Sequence, residues 1–305
     1  MHGCVAVKQR GIFLYCDDAK IRRHECERSL MKIHAGYQIA YQCPQPTPMI
    51  LMLNVHPSRA ADLITPDRIE LDPALPLNTY RDGFGNICHV IHTPKGRIAL
   101  STDFYINDSG TPDIVAPDVG QHPLEKLPAE TLVYLLGSRY CETDRFIKIA
   151  WSKFGKVQKG WPLVQAICDY VHDRIEFGYA YANPTKTAWD THNEGRGVCR
   201  DFAHLAVTLC RCMNVPARYC TGYLGDIGVP PEPDPMDFSA WFEVYLGNRW
   251  YTFDARHNIP RIGRILMARG RDATDVAITT SFGPNTLAGF KVVTDEVPAE
   301  KALTA

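Results

Sequence analysis

Cys199 is the residue whose setting most clearly suggests chemistry. It lies within Gly195 to Met213, GRGVCRDFAHLAVTLCRCM, where a glycine-rich stretch runs into an amphipathic helical pattern. A thiol at a helix start meets unpaired backbone N–H groups and the positive end of the helix dipole, and both favour its thiolate. Cys199 is therefore the candidate nucleophile, expected to be the one thiol with a depressed pKa. The other ten cysteines lack such a context and read as structural or incidental, the ordinary fate of a cysteine in a packed protein.

A second segment, Asp237 to Asn258, reads DFSAWFEVYLGNRWYTFDARHN. Ala240, Phe242, Val244 and Leu246 alternate with Ser239, Trp241, Glu243 and Tyr245, and Gly247-Asn248 separates this run from the next, which is a hairpin signal. If Leu246 pairs with Arg249, then Ser239, Trp241, Glu243 and Asp254 share one face. Ser239 and Asp254 become diagonal neighbours roughly 7–8 Å apart, near enough for a longer side chain to bridge.

With these residues in view, the two segments resemble the core of the transglutaminase-like superfamily. That pattern has a cysteine at a helix start, followed by histidine and aspartate on adjacent strands. GVCRDFA resembles its cysteine motif, and SAWFEVY with WYTFD resembles its HAWVEVY and W-x-x-F-D hairpin. The resemblance makes Cys199 the nucleophile and Asp254 the orienting acid, and it puts Ser239 where the histidine belongs. DGFGN at Asp82 to Asn86 and GRDATDV at Gly270 to Val276 resemble accessory motifs of bacterial members, so the likeness runs from about Met31 to Val297. What it implies is thiol-dependent acyl chemistry on peptide or isopeptide amides, by hydrolysis or by transfer, with a peptide or protein substrate. Because a serine hydroxyl cannot take up a proton at neutral pH as imidazole does, the alternative is a pseudoenzyme that keeps the cleft as a peptide-binding or scaffolding module.

Other histidines are candidates for the missing base. His257 has opposite parity to Asp254 and on this register points to the far face of the sheet. His204 lies five residues beyond Cys199, about 140° around the helix. His192, in the segment before the cysteine, meets no such geometric bar; the ordinary reading of all three is a surface or capping histidine. Trp189 and Trp241 are candidate substrate-binding walls, with plain packing as the competing reading for each.

The elements that must position these groups give an α+β fold. Residues 1–30 lack sustained periodicity and read as an extension outside the folded domain. From Met31, Ile33, Ala35, Tyr37, Ile39 and Tyr41 alternate as on a strand, and short β-type runs broken by QCPQPTP, RDGFGN and TPKG continue to about Asn107. Residues 31–120 are thus expected to be an N-terminal β-sandwich-like domain. Helical patterns follow in LPAETLVYLLGS, DRFIKIAWSKFG and PLVQAICDYVHDRIEF. Residues 121–305 are expected to form a papain-like transglutaminase core, with the cysteine helix packed on an antiparallel sheet.

Composition narrows the function classes. The 305 residues carry 33 basic and 34 acidic side chains, a net charge of -1, so no electrostatic footprint for nucleic acid or an anionic membrane is present. No apolar run nears the roughly 20 residues of a membrane span, and no secretory signal pattern opens the chain. An odd set of 11 cysteines, several in helical patterns, suits reduced thiols and a cytoplasmic location. No C-x-x-C pair occurs, and Cys210 and Cys212 sit too close together on one helix to share a zinc ion with His204, so neither metal nor cofactor is expected.

Overall fold

The computed structural model describes residues 30–233 and 236–298. The reading of residues 1–30 as an extension falls, Leu30 apart, outside them. In chain order, strands β1 (Met31–Cys43), β2 (Thr47–Leu51), β3 (Glu70–Asp72), β4 (Asn78–Arg81), β5 (Ile87–Thr93) and β6 (Gly96–Asp108) come first. Helices α1 (Thr143–Phe154) and α2 (Trp161–Arg174), the short strand β7 (Glu176–Phe177), helix α3 (Ala188–Glu194), the short strand β8 (Arg196–Gly197) and helix α4 (Cys199–Cys212) follow. Strands β9 (Ala217–Tyr223), β10 (Ser239–Leu246), β11 (Arg249–Phe253), β12 (Ile265–Gly270), β13 (Thr279–Ser281) and β14 (Thr286–Glu296) complete the described chain.

Two four-stranded sheets, β14-β1-β6-β3 and β13-β2-β5-β4, make up the β region. Alternation along β1 buries Ile33, Ala35, Tyr37 and Ile39, which join Met49, Leu51, Ile91, Leu100 and Phe104 in a shared apolar core. The fold is α+β as expected, but the cut at residue 120 does not describe it. β13 pairs with β2 and β14 runs along β1, so the last strands close the β sheets instead of extending the core. The cause is the 13-residue β1, whose backbone groups need a partner on both sides; β14 supplies one edge and β6 the other. Tyr223, Ile265 and Met267 of the third sheet also enter the β-region core, and the described residues from Met31 onward form one compact unit.

The third sheet, β11-β10-β9-β12, is antiparallel and carries the helices on one face. Phe242, Val244 and Leu246 of β10 and Phe253 of β11 pack there against Phe146 of α1, Val164 and Ile167 of α2, and Leu205, Leu209 and Cys210 of α4. Twelve residues of α4, from Asp201 to Cys212, are buried, so this helix runs through the centre of the layer. LPAETLVYLL does not make an α-helix: between Pro128 and Gly137 it has room only for a 3₁₀ segment, Ala129–Leu135. Among the described residues no helix is long and apolar enough to cross a bilayer.

Candidate active site

The approach to Cys199 is built from short-range constraints. α3 ends at Gly195, which takes the left-handed conformation, φ 65° and ψ 26°, that glycine adopts without steric cost. β8 then pairs in parallel with β7, and Gly197 passes so close to Asp201 that a Cβ there would lie 2.6 Å from Asp201 Oδ2. Both glycines of GRGVC are thereby explained. Val198 caps α4 in an extended conformation and donates its N–H to Asp201 Oδ2 at 2.9 Å, leaving Cys199 as the first helical residue. Asp201 is fully buried and pairs with Arg200 at 3.1 Å.

Cys199 is partly exposed and lines a concavity of about 390 Å³ with Tyr219, Asp237, Ser239 and Ala240. Its thiol is not depressed. Loss of hydration pushes it up to about 11; Arg256 and the Ala240 N–H pull it down, while Asp237 and Asp254 push it further up. The helix-start argument accounts for the position of the sulfur, but in the resting protein the proton stays on it. Cys141, Cys168, Cys210, Cys212 and Cys220 are raised as well, each by burial first.

The hairpin takes the expected register. Leu246 pairs with Arg249 and Phe242 with Phe253, while Gly247 and Asn248 both have positive φ, 50° and 69°, as a tight two-residue turn requires. Ser239 is buried, and its Oγ has no hydrogen-bond partner. It borders the Cys199 concavity and also a neighbouring one of about 200 Å³ that contains His257, Arg256 and Glu232.

His257 departs from expectation. Parity would turn it to the far face, but β11 stops at Phe253 and alternation stops with it. Asn258 N–H returns to the Asp254 carbonyl at 2.8 Å, and Asp254 Oδ1 accepts the N–H groups of Arg256 and His257 at 3.0 and 3.1 Å. This carboxylate-capped turn folds the imidazole back, so that His257 Nδ1 lies 2.8 Å from Asp254 Oδ2. The same oxygen accepts Arg264 Nη2 at 2.9 Å. Burial opposes charge on Asp254, yet Arg264 and His257 outweigh it and hold the carboxyl well below the usual carboxylate range. An ionised carboxylate only accepts, so the ring nitrogen facing it, Nδ1, carries a proton, while Nε2 lies 3.8 Å from Glu232 Oε1. The signal in the sequence was DARHN, an aspartate that can cap its own turn followed three residues later by a histidine.

The other candidates fall elsewhere. His204 is fully buried and stacks on Tyr140 at 5.0 Å, and its Nε2 accepts the Ala273 N–H at 3.1 Å. Burial lowers its pKa to about 3, so it is a neutral joint between α4 and the GRDATDV segment. His192 sits among Phe146, Trp189 and Tyr170 and does not line the Cys199 concavity. Trp189 does not line the Cys199 concavity: it lies edge-on to Phe146 at 5.5 Å, with Arg145 over its ring at 4.2 Å. Trp241 is buried against Cys220 and Leu266 on the sheet face opposite α4, because strand parity separates it from Ala240 and Phe242. The accessory motifs are structural joints. Asn86 of DGFGN exchanges two 2.9 Å hydrogen bonds with the backbone of Arg269, and Asp272 of GRDATDV accepts the Tyr140 N–H at 2.8 Å.

A cysteine opening a buried helix, beside a hairpin that ends in a buried aspartate, is the arrangement the sequence motifs describe. Residues 153–255 match the model of the transglutaminase-like superfamily, a span that contains Cys199, Ser239 and Asp254. The chain carries a transglutaminase-like core. The whole chain is similar to a solved proposed cysteine protease from Cytophaga hutchinsonii, 28% identical, with a TM-score of 0.77 over 89% of this chain and 92% of that one. An uncharacterised Mycobacterium bovis protein is 28% identical over 68% of this chain and 73% of its own length. One from Mycobacterium leprae is 22% identical over 69% of this chain and 77% of its own.

Proposed function

We propose that the protein performs thiol-dependent acyl chemistry on peptide or isopeptide amides, with Cys199 as nucleophile and His257, oriented by Asp254, as the base that Ser239 cannot be. The observation that carries this reading is the 2.8 Å contact between His257 Nδ1 and the ionised Asp254. In the proposed step the Cys199 proton passes to His257 Nε2, and the Ser239 hydroxyl bridges the seam between the two concavities. The sulfur attacks the amide carbon, whose developing oxyanion meets the Cys199 N–H at the helix start. The C–N bond breaks as the imidazolium protonates the leaving amine, and water or a second amine then resolves the thioester. A thiol raised to about 11 suits this order, since the proton leaves as the sulfur attacks, when substrate is present. A cytoplasmic setting fits the eight cysteines of the described residues, all of them free.

The same raised thiol, together with Ser239, favours a second reading in which the cleft binds peptide without turning it over. Turnover of a generic peptide amide or thioester separates the two. Acyl chemistry predicts that Cys199→Ala abolishes turnover and that His257→Ala lowers it about 10²–10⁴-fold with the fold intact. Wild-type protein that binds peptide, shows no turnover and does so equally well as Cys199→Ala would establish the second reading.

A further inference from the structure

Two concavities meet at Asp237, Phe238 and Ser239, and their walls differ in chemistry. The one of about 390 Å³ holds Cys199 among Pro184, Val198, Ala240, Ala273, Val276 and Ile278, all small or apolar. The one of about 200 Å³ holds His257 with Tyr179, Asp226, Glu232, Arg256 and Arg261. In the acyl chemistry proposed above the carbonyl carbon goes to Cys199, and the leaving amine must reach His257 to be protonated. The acyl side of the substrate therefore lies in the apolar concavity and the amine side in the charged one.

In the charged concavity both arginines are engaged and one carboxylate is not. Arg256 pairs with Glu232 at 2.6 Å and lies 3.7 Å over the Phe177 ring, and Arg261 pairs with Asp226 at 3.6 Å. Asp254, beyond His257, shares Arg264 with Asp113, so the next charges outward bring no spare cation. Asp237 forms no ion pair among the described residues. Its Oδ1 accepts the Phe238 N–H at 2.6 Å, while its Oδ2 has no partner among the described residues and is not enclosed. The side chain is half-buried, and burial pushes its carboxyl up. A half-buried carboxylate that faces an opening without a counter-charge is a receptor for a cation.

We propose that Asp237 is a specificity residue which, resting on the acyl chemistry above, takes the cationic side chain of a lysine or arginine on the amine side of the scissile amide. Tyr179 lines the same concavity and offers its ring to the aliphatic stem of such a side chain. The acyl-side neighbour is then a small apolar residue, as the alanines and valines of the other wall require. Seating a cation has a second consequence. Burial first and Asp237 after it hold the Cys199 thiol up, so a cation paired with Asp237 removes part of that push as the substrate docks.

Isothermal titration calorimetry of the full chain carrying Cys199→Ala, which holds substrate without turning it over, tests this with the peptide acetyl-Ala-Ala-Lys-Ala-amide and its acetyl-lysine and norleucine analogues. The lysine peptide is expected to bind about five- to twentyfold tighter than either uncharged analogue. Adding Asp237→Asn should abolish that margin, and Asp237→Ser serves the same purpose if the asparagine variant does not fold. Equal affinity for the three peptides, binding of none of them, or a margin that survives loss of the carboxylate would each overturn the proposal. Because binding is read without turnover, the two readings fail separately. A lysine margin that depends on Asp237, in a protein whose wild type turns nothing over, removes the acyl chemistry and keeps the cation subsite, whereas turnover without a margin does the reverse.

Discussion

Replacing Arg264 with methionine should destabilise the protein in a way that reverses with pH. Asp254 has a side chain only 2% exposed and Arg264 one 8% exposed, and their contact is 2.9 Å. Methionine keeps much of the volume but leaves Asp254 with His257 and two backbone N–H groups, and Asp113 also loses its 2.9 Å partner. Removing one partner of a buried pair costs about 3–5 kcal/mol, because the remaining charge is left uncompensated. In the wild type the folded Asp254 pKa is depressed, so its contribution is fully present above the unfolded value and is lost only as pH falls through the folded one. Without Arg264, burial dominates and the folded pKa rises above the unfolded one. Protonation then relieves the buried charge, and the deficit should shrink between about pH 8 and about pH 5. Urea denaturation of both proteins at the two pH values measures this, and Asp254→Asn with and without Arg264→Met completes a double-mutant cycle. A deficit under about 1 kcal/mol, or one that does not change with pH, would refute the assignment of Asp254 as a carboxylate held ionised by Arg264.

In a His257→Ala background, which removes the proposed base, Ser239→His should restore turnover by about 10²–10⁴-fold, read on a peptide amide or thioester with Cys199→Ala as control; a folded variant with unchanged turnover and unchanged Cys199 alkylation would show that residue 239 does not serve the sulfur. Gly197→Ala forces a Cβ to within 2.6 Å of Asp201 Oδ2, and should cost about 1–3 kcal/mol in chemical denaturation and slow iodoacetamide labelling of Cys199. Asn86→Ala leaves the Arg269 N–H and C=O without their 2.9 Å partners, and a loss of about 2–4 kcal/mol is expected by the same method; a near-neutral result would mean DGFGN is not a structural joint.

The two segments that carry the site were legible because their constraints are local. The glycines before Cys199 are dictated by a helix end and by one close approach, and the hairpin register follows from a two-residue turn and a period of two. The division into domains was less legible, because pairing of β14 with β1 joins residues some 250 positions apart and leaves no mark in either run beyond alternation. The placement of the tryptophans was less legible for a related reason: motif position says which strand or helix a ring is on, but the face it meets depends on which layer packs there. Trp241 shares a strand with residues of the α4 face and lies on the other side. His257 shows where a periodicity argument ends. Parity holds only while the chain remains a strand, and Asp254 is both the last residue the strand argument reaches and the cap of the turn that stops the strand. One carboxylate thus ends the alternation and receives the imidazole that the broken alternation returns to it. If that turn supplies the base, a serine at the usual histidine position is compatible with catalysis, and the absence of histidine at 239 is not by itself evidence for a pseudoenzyme.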